Sequence, residues 1–281
     1  MAQINPCTPF MSKRIAFIGG GNMASATISG LIKQGLPPEM IDVVEPFAEA
    51  RDKLKTSFGI TAHPQAGAFL LDAALVVWAV KPQTFKAAAL AVAPHVLGGL
   101  HLSVAAGIRS DSIAAWLGTD RIVRAMPNTP ALIGQGISGL FARASVTAND
   151  KAFVEQVMAP TGQSIWLEAE DQLDVVTALS GSGPAYVFYF MEAMITAGTE
   201  MGLSREQAHQ LAVATFTGAS ALAQDASDSP QVLRQRVTSK GGTTFAAISS
   251  MEDNDVRALF IDAMYAARER ARELGEEFGA A

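Results

Sequence analysis

The chain has 281 residues, 49% of them hydrophobic and 17% charged, which is enough for a sizeable core in one large or two ordinary domains. The formal net charge of −6, without a long basic run, argues against nucleic acid and membrane surfaces as partners. No stretch approaches the roughly 20 uninterrupted apolar residues of a membrane-spanning helix. Cys7, the single cysteine, excludes intrachain disulfides, and no metal-ligand spacing occurs. We expect a cytoplasmic protein that binds no metal. Residues 1–12 are expected to form an N-terminal tail without a secondary-structure pattern.

The first predicted elements are a strand, a glycine turn and a helix. An apolar run leads straight into the turn, and an amphipathic helix begins near Asn22. Gly19, Gly21 and Ala24 occupy the three positions of a G-x-G-x-x-G/A fingerprint. The first allows a tight turn, the second lets a pyrophosphate approach the backbone, and the third lets the helix pack closely on the strand. Free N–H groups at the helix start, around Asn22 and Met23, would bind the phosphates.

A second strand is predicted at 41–45. It ends at Glu45, 24 residues after Gly21, where an acidic side chain accepts a hydrogen bond from a ribose 2′-hydroxyl. Arg51, in the next helix, could instead bind a 2′-phosphate. The alternative that needs no ligand is a solvated strand end.

Three further strands are predicted at 75–80, 100–105 and 121–126, each followed by small or turn-forming residues. Ser110 is expected to cap a short helix that Gly118 closes. Ligands bind outside the carboxyl ends of the strands in open α/β sheets, so nicotinamide and substrate are expected at these loops. The remaining elements of this half are strands at 136–142 and 164–167 with a helix at 150–158 between them.

The pattern changes near Glu168, after which only helices are predicted. The long helix at 185–201 is apolar around nearly its whole circumference and must be buried on every side. A domain of about 110 residues does not bury such a helix alone, so we expect a second subunit to cover part of it. The other helices are a short one at 171–179, one after a Ser204–Gln207 capping box, one from Pro230 after Ser229, and one from 254 to 274 that Gly275 closes. The predicted domains are 13–167, which binds a dinucleotide, and 168–281, which is all helical.

A loop at 239–244, Ser-Lys-Gly-Gly-Thr-Thr, precedes another predicted helix, which begins at Thr244. Two glycines and three hydroxyls ahead of a helix N-terminus can hold a carboxylate, with Lys240 adding positive charge. A hydroxyl-capped turn between two helices is the alternative, and the residues by themselves do not decide between the two.

These segments together resemble the pyrroline-5-carboxylate reductases, the enzymes of the last step of proline synthesis. The resemblance runs from about residue 13 to 275 and rests on six motifs in order: Ile18–Ala24, Ala79–Gln83, Ser103–Gly107, Arg124–Pro130, Ser180–Tyr186 and Thr238–Thr244. It implies a Rossmann domain, an α/β fold, followed by an all-α dimerisation domain. It also implies homodimers that often assemble into larger rings, an active site completed by the neighbouring subunit, and reduction of 1-pyrroline-5-carboxylate to L-proline by NAD(P)H.

The resemblance also assigns site residues. It implies that Ser239, Gly242, Thr243 and Thr244 hold the substrate, with Thr244 and Ser239 as the catalytic candidates. The cofactor residues, from the fingerprint, the second strand and the implied loops, are Gly19, Gly21, Asn22, Met23, Ala24, Glu45, Ala79, Val80, Lys81, Pro82, Ala105, Ala106, Gly107, Met126, Pro127 and Asn128.

The residues after the second strand depart from the pattern of many relatives that use NADPH. Those relatives carry a polar residue followed by an arginine, whereas this chain has Glu45-Pro46-Phe47. Because a carboxylate repels a 2′-phosphate, the departure favours NADH over NADPH.

The implied reaction asks little of acid–base side chains. A protonated cyclic imine is strongly electrophilic, so the protein must mainly hold its carbon against the nicotinamide and anchor its carboxylate. Thr244 is expected to position the ring nitrogen first and relay a proton second, because a hydroxyl is too weak an acid near neutral pH. The four histidines lie outside the motifs and are expected to be surface or satisfied helix residues: His63, His95, His101 and His209.

Two alternatives compete with this interpretation. A β-hydroxyacid dehydrogenase would carry a catalytic lysine shortly after the glycine pair of its first long helix, where this chain has Tyr186-Val187-Phe188. A non-catalytic dinucleotide-sensing protein is compatible with the fingerprint, but it needs no second anion site such as the loop at 239–244.

Overall fold

The computed structural model describes residues 13–96 and 98–279, so the predicted tail at 1–12 lies outside the described residues. The chain forms two compact units. One extends up to Gly181 and includes the segment from Ala267 onward, and the other is Ser182–Ala266. This division differs from the predicted one at residue 168. The segment after Glu168 stays with the first unit because Leu173 is buried and its helix packs on the sheet.

The first unit is built on a seven-stranded sheet in the order β2-β1-β3-β4-β5-β6-β7. Its strands are β1 Arg14–Ile18, β2 Ile41–Val44, β3 Ala73–Trp78, β4 Leu100–Ser103, β5 Ile122–Met126, β6 Gly136–Ala142 and β7 Gly162–Trp166. The first five are parallel, β6 runs antiparallel to β5, and β7 is parallel to β6. β1 lies between β2 and β3. The chain therefore extends the sheet to one side of β1 with β2 and to the other side with β3 and the strands that follow it. A ligand crevice forms at such a switch point.

Helices cover both faces of the sheet. They are α1 Asn22–Lys33, α2 Ala48–Phe58, α3 Pro82–Val92, α4 Ser110–Leu117, α5 Ala148–Met158 and α6 Gln172–Val176. Alternation along β1 explains the two layers, because Ile15 packs in the core cluster of α1 and α2, whereas Ala16 packs in the cluster of α3 and α4. The α/β architecture and every predicted strand of this half are confirmed, with ends shifted by at most two residues.

The predicted cap of α4 is wrong. Ser110 is the first residue of the helix, and the carboxylate of Glu170 accepts hydrogen bonds from its N–H and its hydroxyl, both at 2.6 Å. Gly118 closes the helix in the left-handed conformation, as predicted.

The second unit is entirely helical over the described residues. Its helices are α7 Gly183–Glu200, α8 Arg205–Asp225, α9 Pro230–Arg236, α10 Thr243–Asp253 and the first part of α11 Val256–Gly279. The predicted caps at Ser204 and Ser229 are confirmed. Gly198 lets α7 approach α8, since a Cβ on it would lie 3.1 Å from the Cβ of Ala208.

Two helix predictions need correction. Gly275 does not close the last helix, because α11 continues through it to Gly279. The predicted helix at 171–179 is α6 followed by a wider π-helical turn, Thr177–Gly181.

The long apolar helix, α7, is not buried on every side within this unit. Phe188 and Tyr189 are 56% and 71% exposed, and Met194 is also exposed. Such a face is what we expect of a helix that a second copy of the chain covers. Among the described residues, no helix has both the length and the apolar character needed to cross a membrane.

Candidate active site

The glycine turn after β1 has the geometry that the fingerprint predicts. Gly19 has a φ of +96°, and its N–H donates a hydrogen bond to the carbonyl of Val44 at 2.8 Å. A Cβ on Gly19 would lie 2.5 Å from the carbonyl oxygen of Ala79, the first residue after β3. Both the positive φ and the neighbouring backbone therefore require glycine at this position.

Gly21 lacks a side chain for a different reason. Its φ is −70°, which any residue adopts, and a Cβ on it would have no described atom within 4 Å. Open space therefore lies in front of the start of α1, and Ala24 is buried behind it. Over the described residues no side chain caps α1, so the N–H groups of its first turn, including those of Asn22 and Met23, are available to an anion. The site fits a dinucleotide pyrophosphate.

Glu45 lies at the end of β2 and is only 6% exposed, so the alternative of a solvated strand end is wrong. One carboxylate oxygen accepts the N–H of Gly20 at 2.8 Å, and the other accepts the N–H of Phe47 at 2.9 Å. Arg51 donates to the carbonyls of Glu45 and Pro46 at 2.9 and 2.7 Å. The carboxylate thus ties the second strand to the glycine turn, and each oxygen retains a lone pair for a ligand.

The remaining predicted cofactor residues lie at the carboxyl ends of β3, β4 and β5, and they include Met126, the last residue of β5, and Pro82, the first residue of α3. Parallel strands bring their carboxyl ends to one edge of the sheet, so these loops lie along the same edge as the glycine turn. Because β3 and β4 end earlier than predicted, at Trp78 and Ser103, the residues from Ala79 and from Ala105 lie in the loops. The amide oxygen of Asn128 accepts the N–H of Ile137 at 3.0 Å, which holds the loop after β5. The residues placed at this edge are Ala79, Val80, Lys81, Pro82, Ala105, Ala106, Gly107, Met126, Pro127 and Asn128.

The predicted substrate loop lies in the second unit, before α10. Gly241 has a φ of +78°, and Gly242 precedes the first helical residue, Thr243. A Cβ on Gly242 would lie 2.8 Å from the hydroxyl oxygen of Ser239. The two glycines thus allow the loop to fold back so that the Ser239 hydroxyl lies next to the start of the helix.

The start of α10 retains its hydrogen-bonding capacity. The structure gives the hydroxyls of Ser239, Thr243 and Thr244 no hydrogen-bond partner within 13–96 and 98–279, and no side chain there caps the helix. The alternative of a hydroxyl-capped turn is therefore wrong. Backbone N–H groups and three hydroxyls, with the exposed Lys240 beside them, have the chemistry to hold a carboxylate.

A buried ion pair near the cofactor edge was not predicted. Arg124, in β5, contacts Glu170 at 2.7 Å, and both side chains are at most 10% exposed. Burial opposes ionisation of Glu170, but hydrogen bonds from Ser110 and the charge of Arg124 outweigh it and hold the pKa of Glu170 below its ordinary value. The sequence signal was an arginine inside an otherwise apolar strand. Because Glu170 also accepts a hydrogen bond from the N–H of Ser110, the pair holds the first residue of α4 in place. This residue comes soon after the loop that follows β4.

His101 is neither a surface residue nor a satisfied helix residue, contrary to expectation. It is buried in β4, where its Nδ1 accepts a hydrogen bond from Trp78 Nε1 at 3.2 Å. Burial and the charge of Arg121 lower the pKa of His101 to about 4, so the imidazole is neutral at physiological pH.

An open, mainly parallel sheet, a dinucleotide turn at its switch point and a helical unit with an exposed apolar helix define an NAD(P)-dependent oxidoreductase that self-associates. Residues 170–274 match the family model for pyrroline-5-carboxylate reductase dimerisation, and residues 14–107 match one described as NADP oxidoreductase, coenzyme F420-dependent.

Two curated relatives, both pyrroline-5-carboxylate reductases, align with nearly the whole chain. The protein from Pseudomonas aeruginosa is 47% identical over 95% of this chain and 98% of its own, and the one from Glycine max is 37% identical over 95% and 97%. The chain belongs to the pyrroline-5-carboxylate reductase family. It reduces 1-pyrroline-5-carboxylate to L-proline with NAD(P)H in proline biosynthesis, and its dimerisation domain supports self-association.

Solved structures agree with this assignment. The chain is similar to a pyrroline-5-carboxylate reductase from Coxiella burnetii, with a TM-score of 0.87 and 41% identity over 94% of this chain and 98% of that one. It is also similar to the Plasmodium falciparum pyrroline carboxylate reductase with NADP bound, with a TM-score of 0.84 and 27% identity over 94% and 99%. These relatives do not favour a β-hydroxyacid dehydrogenase or a sensing protein.

Proposed function

We propose that this reductase binds NADH in preference to NADPH at the carboxyl edge of its sheet, and binds the carboxylate of 1-pyrroline-5-carboxylate at the start of α10. The observation that carries the substrate assignment is the uncapped N-terminus of α10, where the hydroxyls of Ser239, Thr243 and Thr244 have no hydrogen-bond partner in the described part of the chain. Gly19, Gly21 and the loops after β3, β4 and β5 support the cofactor assignment, because a dinucleotide needs a close backbone approach and a free helix start.

The chain's own residues then bind and orient rather than supply strong acids or bases. Reduced nicotinamide, when bound, supplies the hydride that the imine carbon accepts. The Ser239 and Thr243 hydroxyls and the N–H groups at the start of α10 hold the carboxylate, which places the ring. The Thr244 hydroxyl donates a hydrogen bond to the ring nitrogen and relays a proton to it. The buried, neutral His101 cannot serve as a cationic acid near pH 7.

Replacing Thr244 with alanine tests the catalytic assignment. We expect kcat to fall roughly tenfold to a hundredfold, because the hydrogen bond to the ring nitrogen is lost at the reacting group. The dissociation constant for NADH should change less than twofold. Steady-state kinetics and a fluorescence titration of NADH measure the two effects. Thr244→Ser, which keeps the hydroxyl, is the matched control and should retain most of the activity. An unchanged kcat in the alanine variant would exclude the proposed role.

The cofactor preference depends on Glu45. Its carboxylate lies at the end of β2 and is hydrogen-bonded to the glycine turn. We expect the ribose 2′-hydroxyl of NAD to donate a hydrogen bond to this carboxylate, whereas a 2′-phosphate would meet a like charge. Arg51 is engaged with backbone carbonyls of the same loop, which leaves less of its guanidinium for a phosphate. A relative with 27% identity has NADP bound, so the proposed preference rests on Glu45 of this chain and not on the family.

We expect wild-type kcat/KM to be higher with NADH than with NADPH, and Glu45→Gln to shift the ratio toward NADPH by about tenfold, or about 1.4 kcal/mol. The ratio of kcat/KM for NADH to that for NADPH is the appropriate readout. Glu45→Gln also alters the hydrogen bond with the Gly20 N–H, but that change affects both cofactors alike and cancels in the ratio. A wild-type enzyme that prefers NADPH, or a variant with an unchanged ratio, would contradict the assignment to Glu45.

The same proposal extends to assembly into a larger ring of dimers. Its support is the number of apolar side chains that the second unit leaves exposed, among them Leu211, Leu222, Met251 and Leu259. Sedimentation equilibrium distinguishes a dimer from a multiple of dimers.

A further inference from the structure

The last turns of α11 pack on the loop that follows β4, within the first unit. Gly107 has a φ of +73°, and a Cβ on it would lie 3.3 Å from the Cβ of Leu274. Gly275 is buried, and a Cβ on it would lie 3.6 Å from the carbonyl oxygen of Gly107. The distance at Gly275 is an ordinary van der Waals contact, so a methyl group would fit there, whereas a longer side chain would meet the backbone of the loop. The backbone of α11 therefore packs directly against the backbone of the loop at this position.

Two further contacts hold the end of this helix. The Ser112 hydroxyl donates a hydrogen bond to the carbonyl of Gly279 at 3.2 Å, which satisfies one of the carbonyls left free at a helix C-terminus. Phe278 packs on the core cluster that contains Ile108 and Ile113. The end of α11 therefore contacts residues just before the start of α4, such as Gly107, and residues in its first turn, such as Ser112. Gly107 is the last residue of the predicted cofactor loop.

We propose that Leu274–Gly279 is a positioning element for the cofactor loop Ala105–Gly107, an inference that rests on the proposed role of that loop at the nicotinamide. Ala105 is buried in the core cluster, and its N–H donates a hydrogen bond to the Ser103 hydroxyl at 3.3 Å. Ala106 and Gly107, the outer part of the loop, carry no side chain long enough to anchor them in the same way. A helix packed on its backbone fixes the loop before the cofactor binds, which lowers the ordering cost of binding and keeps the nicotinamide aligned.

The test compares NADH with ADP-ribose, which lacks the nicotinamide, as ligands of Gly275→Leu. The leucine would push the helix from Gly107. We expect the dissociation constant for NADH to rise about tenfold and that for ADP-ribose to change less than twofold, since ADP-ribose depends on the glycine turn. Glu269→Leu places the same side chain at an exposed position of α11 outside Leu274–Gly279 and is the matched control, in which both constants should stay unchanged.

A purely structural role predicts a different result. Unchanged NADH affinity in a less stable protein, or equal weakening of NADH and ADP-ribose, would overturn the proposal. If Gly275→Leu does not fold, Ser112→Ala removes one contact of the helix end and should weaken NADH two- to threefold. An unchanged NADH constant in Ser112→Ala would then refute the positioning role. Ala106→Leu alters the loop directly. If it leaves NADH binding intact, the proposed role of the loop fails, and this is distinguishable from failure of the positioning role.

Discussion

Replacing Gly21 with alanine should leave the fold intact and weaken NADH binding by a hundredfold or more, or about 3 kcal/mol. The added methyl meets no described atom within 4 Å and the φ of −70° is allowed, so the free protein accommodates it. The methyl instead fills the space through which a pyrophosphate must approach the start of α1. Thermal unfolding and NADH titration of the same preparation separate the two effects.

Gly19→Ala is the matched comparison, because it should harm both properties. Its methyl would lie 2.5 Å from the Ala79 carbonyl oxygen at a φ of +96°, which combines overpacking with backbone strain. We expect a loss of stability of about 2–4 kcal/mol together with the loss of NADH binding. Normal NADH affinity in Gly21→Ala would show that the phosphates do not pass over this turn.

Replacing Glu170 with alanine should destabilise the first unit by about 3–5 kcal/mol, because it leaves the buried Arg124 guanidinium without its partner. The same change removes the hydrogen bonds to the N–H and hydroxyl of Ser110. Urea unfolding at pH 7 measures the loss. The double variant Arg124→Met/Glu170→Leu should be more stable than Glu170→Ala, because it leaves no buried charge unpaired. Equal stability of Glu170→Ala and wild type would contradict this account.

The pH dependence of the ion pair has a definite sign. The pKa of Glu170 in the folded protein lies below its ordinary value of 4.5, so the unfolded chain binds a proton more readily. The stabilisation by Glu170 is therefore fully present above that ordinary value and is lost as the pH falls through the lower, folded pKa. Glu170→Gln should be less stable than wild type at pH 7, and the difference should shrink on acidification.

Much of the fold and part of the candidate site could be predicted because their signals lie in adjacent residues. The glycine turn, the buried parallel strands and the capping boxes depend on conformational preferences within a few residues. The loop before α10 belongs to this group, since its glycines and hydroxyls are consecutive. Contacts between distant residues could not be predicted in this way. The partner of Ser110 is Glu170, 60 residues later, and no pattern in either segment indicates the other.

The sequence by itself determined the class of fold, the glycine turn after β1 and the glycine- and hydroxyl-rich loop before α10, because each follows from local chain geometry and residue chemistry. The tertiary structure decided what these residues contact. Gly275 looked like a helix end, but it is the point where α11 approaches Gly107. Glu45 looked like a free ribose ligand, but it also holds the glycine turn. His101 looked like a surface residue, but the sheet buries it. In each case the deciding partner is far along the chain, and only packing brings the two together.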